Sequence, residues 1–329
     1  MDSIRIFEVL RVIFPVFAIM GLGKILFRKK LMNKVHQEFL NDIAYYIALP
    51  ALIFVELAVQ PFDLLLDPVL IFAPLLSLGA VFIVFTLIAL VFKIKGPLAA
   101  PLIFGTVWAN VAYMGFPLVS MAFEDEKGLA MAAIINAIPM PVFVVISFVV
   151  MGLYNHSKDK NLLHHIRPAV VNPIIIASAL GLLSSFILSS FGLNSADNNT
   201  PQWVFVTGSA FHSFLQMIGT MGLPLALLSV GGTLSLASMG KNVSLLLLTV
   251  FGKLLLAPFL TYLIIVNLFP GADKTALGVS VLLMATPVAV ATSVVSPRFN
   301  VNSQFVLSLL AVSTLLSSIT MPFWLYILL

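Results

Sequence analysis

Ten stretches of about twenty mostly apolar residues recur along the chain, and each is long enough to cross about 30 Å of hydrocarbon as a helix. They run roughly over 6–27, 38–59, 68–92, 98–121, 129–153, 168–191, 205–237, 244–267, 275–297 and 303–328 of the 329 residues. Only 9% of the residues are charged and 60% are hydrophobic. Soluble domains carry about 25% charge, so this chain could not cover the surface of a water-soluble globule. A soluble enzyme, a nucleic-acid binder and a disordered scaffold are excluded. The absence of cysteine removes disulfides, thiol catalysis and cysteine-held metal. The first stretch is too long for a signal peptide's apolar region and reads as a retained helix.

Basic residues set the orientation. The loops after odd-numbered spans hold Arg28, Lys29, Lys30, Lys34, Lys93, Lys95, Lys158, Lys160, Arg167, Lys241 and Arg298, eleven of the seventeen basic residues. The loops after even-numbered spans hold Lys127 and Lys274 beside Asp63, Asp67, Glu124, Asp125, Glu126, Asp197 and Asp273. The odd loops therefore read as cytoplasmic, with both termini outside an inner (plasma) membrane.

Two halves of the chain echo each other. Leu49-Pro50-Ala51-Leu52 in the second span returns as Leu223-Pro224-Leu225-Ala226 in the seventh, 174 positions later. Pro15 to Gly21 corresponds to Pro173 to Gly181. The fourth and ninth spans are both interrupted by small, polar or proline residues, at Ala109-Asn110-Val111-Ala112 and at Ala285-Thr286-Pro287-Val288. An odd number of spans per half makes such repeats inverted, a transporter design with paired broken helices near the midplane. The expected organisation is residues 1–153 as one five-helix repeat, 154–167 as a cytoplasmic loop, and 168–329 as the second, inverted repeat. The same breaks would free backbone groups that survive at membrane depth only inside protein or beside a watery cavity. A half-helix start there suits an anionic group.

With these residues on view, the chain resembles the auxin efflux carrier family, bacterial branch. The resemblance covers nearly the whole chain. It rests on Pro15-Val16-Phe17, on Asn41 ahead of Tyr46-Ile47-Ala48-Leu49-Pro50, and on Asn110 followed by Met114-Gly115-Phe116-Pro117-Leu118. Gly222-Leu223-Pro224, Thr286-Pro287-Val288 and Arg298-Phe299-Asn300 continue it. What it implies is an all-α fold of ten transmembrane helices in two inverted repeats, like bile-acid symporters and sodium/proton antiporters. Helices 1, 2, 6 and 7 would form a scaffold, often dimeric, and helices 3–5 and 8–10 a moving transport domain. By motif, Asn110 matches the crossover asparagine and Pro287 the crossover proline. Ala109 stands where plant members have proline, and the midpoint loop is short. Both departures point away from auxin itself.

Charges at membrane depth cost roughly 2.5–3.5 kcal/mol each. Lys253, near the middle of the eighth span, reads as a buried anion attractor or a support of the crossover. Asn136, in the fifth span, reads either as a contact to the crossover or as glue between helices. Thr106, Thr286 and Thr292 are expected to bond back to their own helices. Glu38 and Asp42 are expected to cap the start of helix 2. Spans 3, 4, 5, 9 and 10 contain no carboxylate, which argues against cation exchange.

The resulting expectation is a secondary transporter of small organic acids working by elevator-type alternating access. The carboxylate would be held by Asn110, Ala109, Asn136, the backbone of Thr286, Pro287 and Val288, and Lys253. Moving one negative charge is worth about 2.3 kcal/mol per 100 mV, so uptake would need proton or sodium coupling. The partners are then a small organic acid, the lipid bilayer and a second copy of the chain. No cofactor is expected: zinc-protease, serine-hydrolase and phosphate-loop motifs are absent. The competing reading is a channel-like or ion-coupled carrier for a different small solute.

Overall fold

The computed structural model describes residues 2–58, 66–94, 96–123, 126–153, 173–190, 202–233, 242–292, 296–299 and 301–328. The loop 154–167, with Lys158, Lys160, His164, His165 and Arg167, lies outside them. So do Asp63, Lys95, Glu124, Asp125, Asp197, Lys241, Ser293 and Asn300.

Every described element is helical, apart from a single backbone bridge at the centre. We number them α1 (Asp2–Arg28), α2 (Lys34–Ala58), α3 (Pro68–Val91), α4a (Gly96–Val107), α4b (Val111–Ala122), α5 (Glu126–Ala137 and Pro139–Leu153) and α6 (Pro173–Ser190). Then follow α7 (Gln202–Thr233), α8 (Val243–Leu268), α9 (Lys274–Met284) and α10 (Ser303–Leu328). Seven of these, α2, α3, α5, α6, α7, α8 and α10, are long and apolar enough to cross a membrane. The shorter apolar helices α4a, α4b and α9 flank two breaks. Large apolar side chains such as Phe72, Ile83 and Leu87 of α3, Leu183 of α6 and Ile319 of α10 face outward, as lipid contact requires.

Helix starts follow side-chain chemistry. The Asp67 carboxylate accepts from the Val69 N–H at 2.8 Å, with Pro68 at the first helical position, where its missing N–H costs nothing. The cap of α2 corrects the sequence reading. Asn33 accepts the His36 N–H at 3.0 Å and His36 Nδ1 accepts the Asn33 N–H in return. Glu38 and Asp42 stand beyond the first turn and cap nothing. The sequence argument located the acids correctly but placed the helix start a turn too late.

Prolines shape three helices in the same way. Each of Pro50, Pro117 and Pro258 follows directly on a widened π-turn, at Ala44–Ala48, Val111–Gly115 and Gly252–Leu256 plus one residue. A proline cannot donate and its ring crowds the carbonyl four residues back, so the preceding turn opens. In α8 that carbonyl belongs to Leu254, and the Trp324 indole N–H donates to it at 3.0 Å. Pro258 thus also sets the wide turn that carries Lys253.

Packing falls into two groups. α1 lies along α7, and α6 and α7 lie against α2. Close approach is required there: a Cβ at Gly23 would strike the Leu228 carbonyl, and one at Gly231 the Met20 carbonyl. On the other side α3 packs on α4a and α8, α4a on the second half of α5, and α8 on α9.

Candidate functional site

The two interrupted helices meet. Between α4a and α4b the chain is non-helical through Trp108, Ala109 and Asn110, and after α9 it is non-helical through Pro287, Val288 and Ala289. Ala109 and Val288 pair as a one-rung antiparallel bridge. The Asn110 N–H donates to the Pro287 carbonyl at 2.9 Å and the Ala289 N–H to the Trp108 carbonyl at 3.0 Å. Each break therefore satisfies part of the other's backbone, which apolar surroundings could not do. All these residues are buried.

The second break is closed further from within. Thr286 N–H donates to Leu283 at 3.2 Å and its hydroxyl to the same carbonyl at 2.7 Å. The Val288 N–H reaches the Ser313 hydroxyl at 3.3 Å. Lys253, fully buried, donates through Nζ at 2.6 Å to the carbonyl of Met284, the last residue of α9. A cation at the negative end of a helix is a favourable cap. Thr106 and Thr292 also bond back, to Ile103 and Ala289 at 2.7 Å each, as the sequence reading expected.

The first break leaves more open. Asn110 stands at the N-cap of α4b but makes no side-chain capping bond. Its Nδ2 is buried without a partner, and so is Nδ2 of Asn136. The first N–H groups of α4b, from Val111 to Tyr113, have no preceding helical carbonyl to bond. A cavity of about 290 Å³ adjoins these groups. Residues 108–113 line it, with Asn136, Met140, Pro141, Val144 and Phe148 of α5 and Ala289, Val290 and Ala291 beyond the second break. Its other walls are Asn41, Asp42, Tyr45 and Tyr46 of α2 and the start of α6 from Pro173 to Ile175. Phe148 packs between Trp108 and Phe299, with ring centroids 5.9 and 5.6 Å away. Tyr113 Oη donates to Asn41 Oδ1 at 3.0 Å, tying α4b to α2.

Of the residues singled out in sequence, Ala109, Asn110 and Asn136 line this cavity, while Thr286, Pro287, Val288 and Lys253 lie behind it. Sequence reasoning missed Asp42, Tyr45, Tyr46, Trp108 and Tyr113 as cavity residues. The only signal for them was the tyrosine pair next to Asn41-Asp42 in an otherwise apolar span. No group of acidic and histidine side chains that could hold a metal ion occurs among the described residues.

Comparison with known proteins identifies the family. Residues 8–325 match the family model described as membrane transport protein. An uncharacterized transporter of Methanocaldococcus jannaschii is 24% identical over 306 residues, covering 91% of this chain and 92% of its own. A Rhizobium meliloti protein named "Putative malonate transporter" is 26% identical over 330 aligned positions, covering 97% of this chain and 96% of its own. The chain belongs to the membrane transport protein family, the auxin efflux carrier family its sequence resembles, and is a multi-pass membrane transporter rather than an enzyme.

Proposed function

We propose that the protein is a secondary transporter of small organic anions, with carboxylates as its substrate class. The observation that carries this reading is the pair of buried, unpartnered amide donors, Asn110 Nδ2 and Asn136 Nδ2, beside one cavity at the start of α4b. Unpaired donors in an apolar setting cost free energy until an acceptor arrives. A carboxylate supplies several lone pairs and a charge that the half-helix start favours. The relative named for malonate supports the same substrate class.

Transport proceeds by elevator-type alternating access in a ten-helix, inverted-repeat architecture. The cavity has α2 and α6 on one side and the two breaks with α5 on the other. Sliding α3–α5 and α8–α10 against α1, α2, α6 and α7 would carry the site across with its backbone pairing intact. The close glycine packing of α1 on α7 suits the second group to a fixed role. The working unit is a homodimer in the plasma membrane, with both termini outside and with proton or sodium coupling for uptake.

Uptake of labelled malonate, malate and indole acetate into proteoliposomes tests this, under imposed potential and pH gradients. Saturable flux with counterflow, collapsing in Asn110→Ala, is the expected result. Flux that neither saturates nor shows counterflow would indicate a channel. No flux of any of the three acids from folded protein would overturn the carboxylate reading.

A further inference from the structure

Among the described residues lining the cavity, Asp42 is the one charged side chain, and none of them sets a cation against it. This is an odd wall for an anion site. It sits beside Asn41, the acceptor of the Tyr113 hydroxyl that joins α2 to α4b. On its own helix, Lys34 lies two turns earlier and pairs with Glu38 at 3.9 Å, His36 is engaged in the helix cap, and the Tyr45 and Tyr46 phenols stand one turn on in the same cavity wall. α7 packs against this part of α2, with Ser229 meeting Gln37. The one titratable residue of α7, His212, is seventeen positions from Ser229, about 25 Å along the axis. Across the cavity, Tyr113 is the one titratable group among residues 108–113, the α5 lining, 173–175 and 289–291. Among the described residues nothing neutralises Asp42 from within the cavity.

We propose that Asp42 is a specificity-determining residue that admits dicarboxylic acids in their singly charged form. The inference rests on the carboxylate reading above and adds the ionisation state of the cargo. One carboxylate meets the amides of Asn110 and Asn136. The far end then faces Asp42, where a second carboxylate would meet a like charge at considerable cost. A protonated carboxyl instead donates an O–H···O⁻ hydrogen bond to Asp42, a strong charge-assisted contact. The proton stays on the substrate throughout, so no protein group has to titrate. Each diacid crosses with one net negative charge and its own proton.

The test is uptake of labelled malonate, malonamate and acetate into proteoliposomes at zero potential, at pH values spanning the second ionisation of malonic acid. Malonamate carries one charge throughout and keeps a donor at its far end. The expected result is malonate uptake that tracks its singly charged fraction, with malonamate flux flat with pH. In Asp42→Asn the malonate profile flattens, and the apparent affinity for the doubly charged form rises about tenfold or more, the scale of a removed like-charge contact. Acetate, with no far-end group to meet Asp42, responds to the substitution far less than doubly charged malonate does. Malonate uptake that ignores its ionisation, or an Asp42→Asn profile like wild type, overturns the proposal. So does acetate transport without malonate transport at any pH. A sodium requirement lost in Asp42→Asn would also overturn it, assigning Asp42 to a cation. If none of the three acids enters, the carboxylate reading itself has failed. Asp42 is exposed and the substitution isosteric, and a monodisperse elution profile in detergent confirms that the variant is folded.

Discussion

The two breaks that cross inside this protein are made of similar residues, yet they leave different groups over. At the second, every backbone donor from Thr286 to Ala289 is engaged within the protein, by Leu283, Ser313 and Trp108, and Lys253 closes the end of α9. At the first, the backbone N–H of Asn110 is engaged, but its side-chain amide is not, and the start of α4b opens on the cavity. One break acts as a buried brace and the other as a presenting surface. Two breaks of similar composition thus need not be alike in use. The asymmetry arises from single neighbours, Lys253 and Ser313 on one side and Asn136 on the other.

The strongest way to break this contrast is Asn110→Ala. Removing a donor to a charged group forfeits roughly 1.5–3 kcal/mol, so the half-saturating malonate concentration in proteoliposome uptake should rise about 10- to 100-fold. Lys253→Met leaves the Met284 carbonyl buried without a donor, a loss of about 1–3 kcal/mol. The melting temperature in detergent should fall and the maximal uptake rate with it, while half-saturation stays close to wild type. A large shift in half-saturation would instead put Lys253 at the substrate. Tyr113→Phe removes the bond to Asn41, worth about 0.5–1.5 kcal/mol, and should raise half-saturation a few-fold with only a modest fall in melting temperature. Ser313→Ala, whose hydroxyl receives Val288 N–H at a long 3.3 Å, should be smallest, a melting shift at the low end of about 0.5–1.5 kcal/mol with uptake kinetics intact.

Much of the helical framework was legible because long apolar runs leave few alternatives. α3 and α10 match the expected spans to within a residue, and the overlong seventh span is a 32-residue helix. The breaks were legible because proline and small polar residues cluster at Asn110 and Pro287 and weaken a helix there. That they cross was an expectation from the repeat, but their backbone pairing was not legible, because nothing local in Ala109 points to Val288. The cavity's α2 wall was not legible. The Tyr113–Asn41 contact joins residues 72 positions apart, and Asp42 reads locally like any acid near a helix start. Lys253 stood out as a buried charge, but its partner is a backbone carbonyl, which carries no sequence signal.

Malonate-induced thermal stabilisation of purified Asn110→Ala and Thr286→Ala, side by side with wild type, tests the central contrast most directly. Ligand at a hundredfold excess over its dissociation constant stabilises by about 2.7 kcal/mol, well within reach of a melting experiment. The account predicts that Thr286→Ala keeps the wild-type shift, whatever its own melting point, while Asn110→Ala loses it. An undiminished shift in Asn110→Ala, or a loss in Thr286→Ala as large, would contradict the assignment of the first break as the face that meets the substrate.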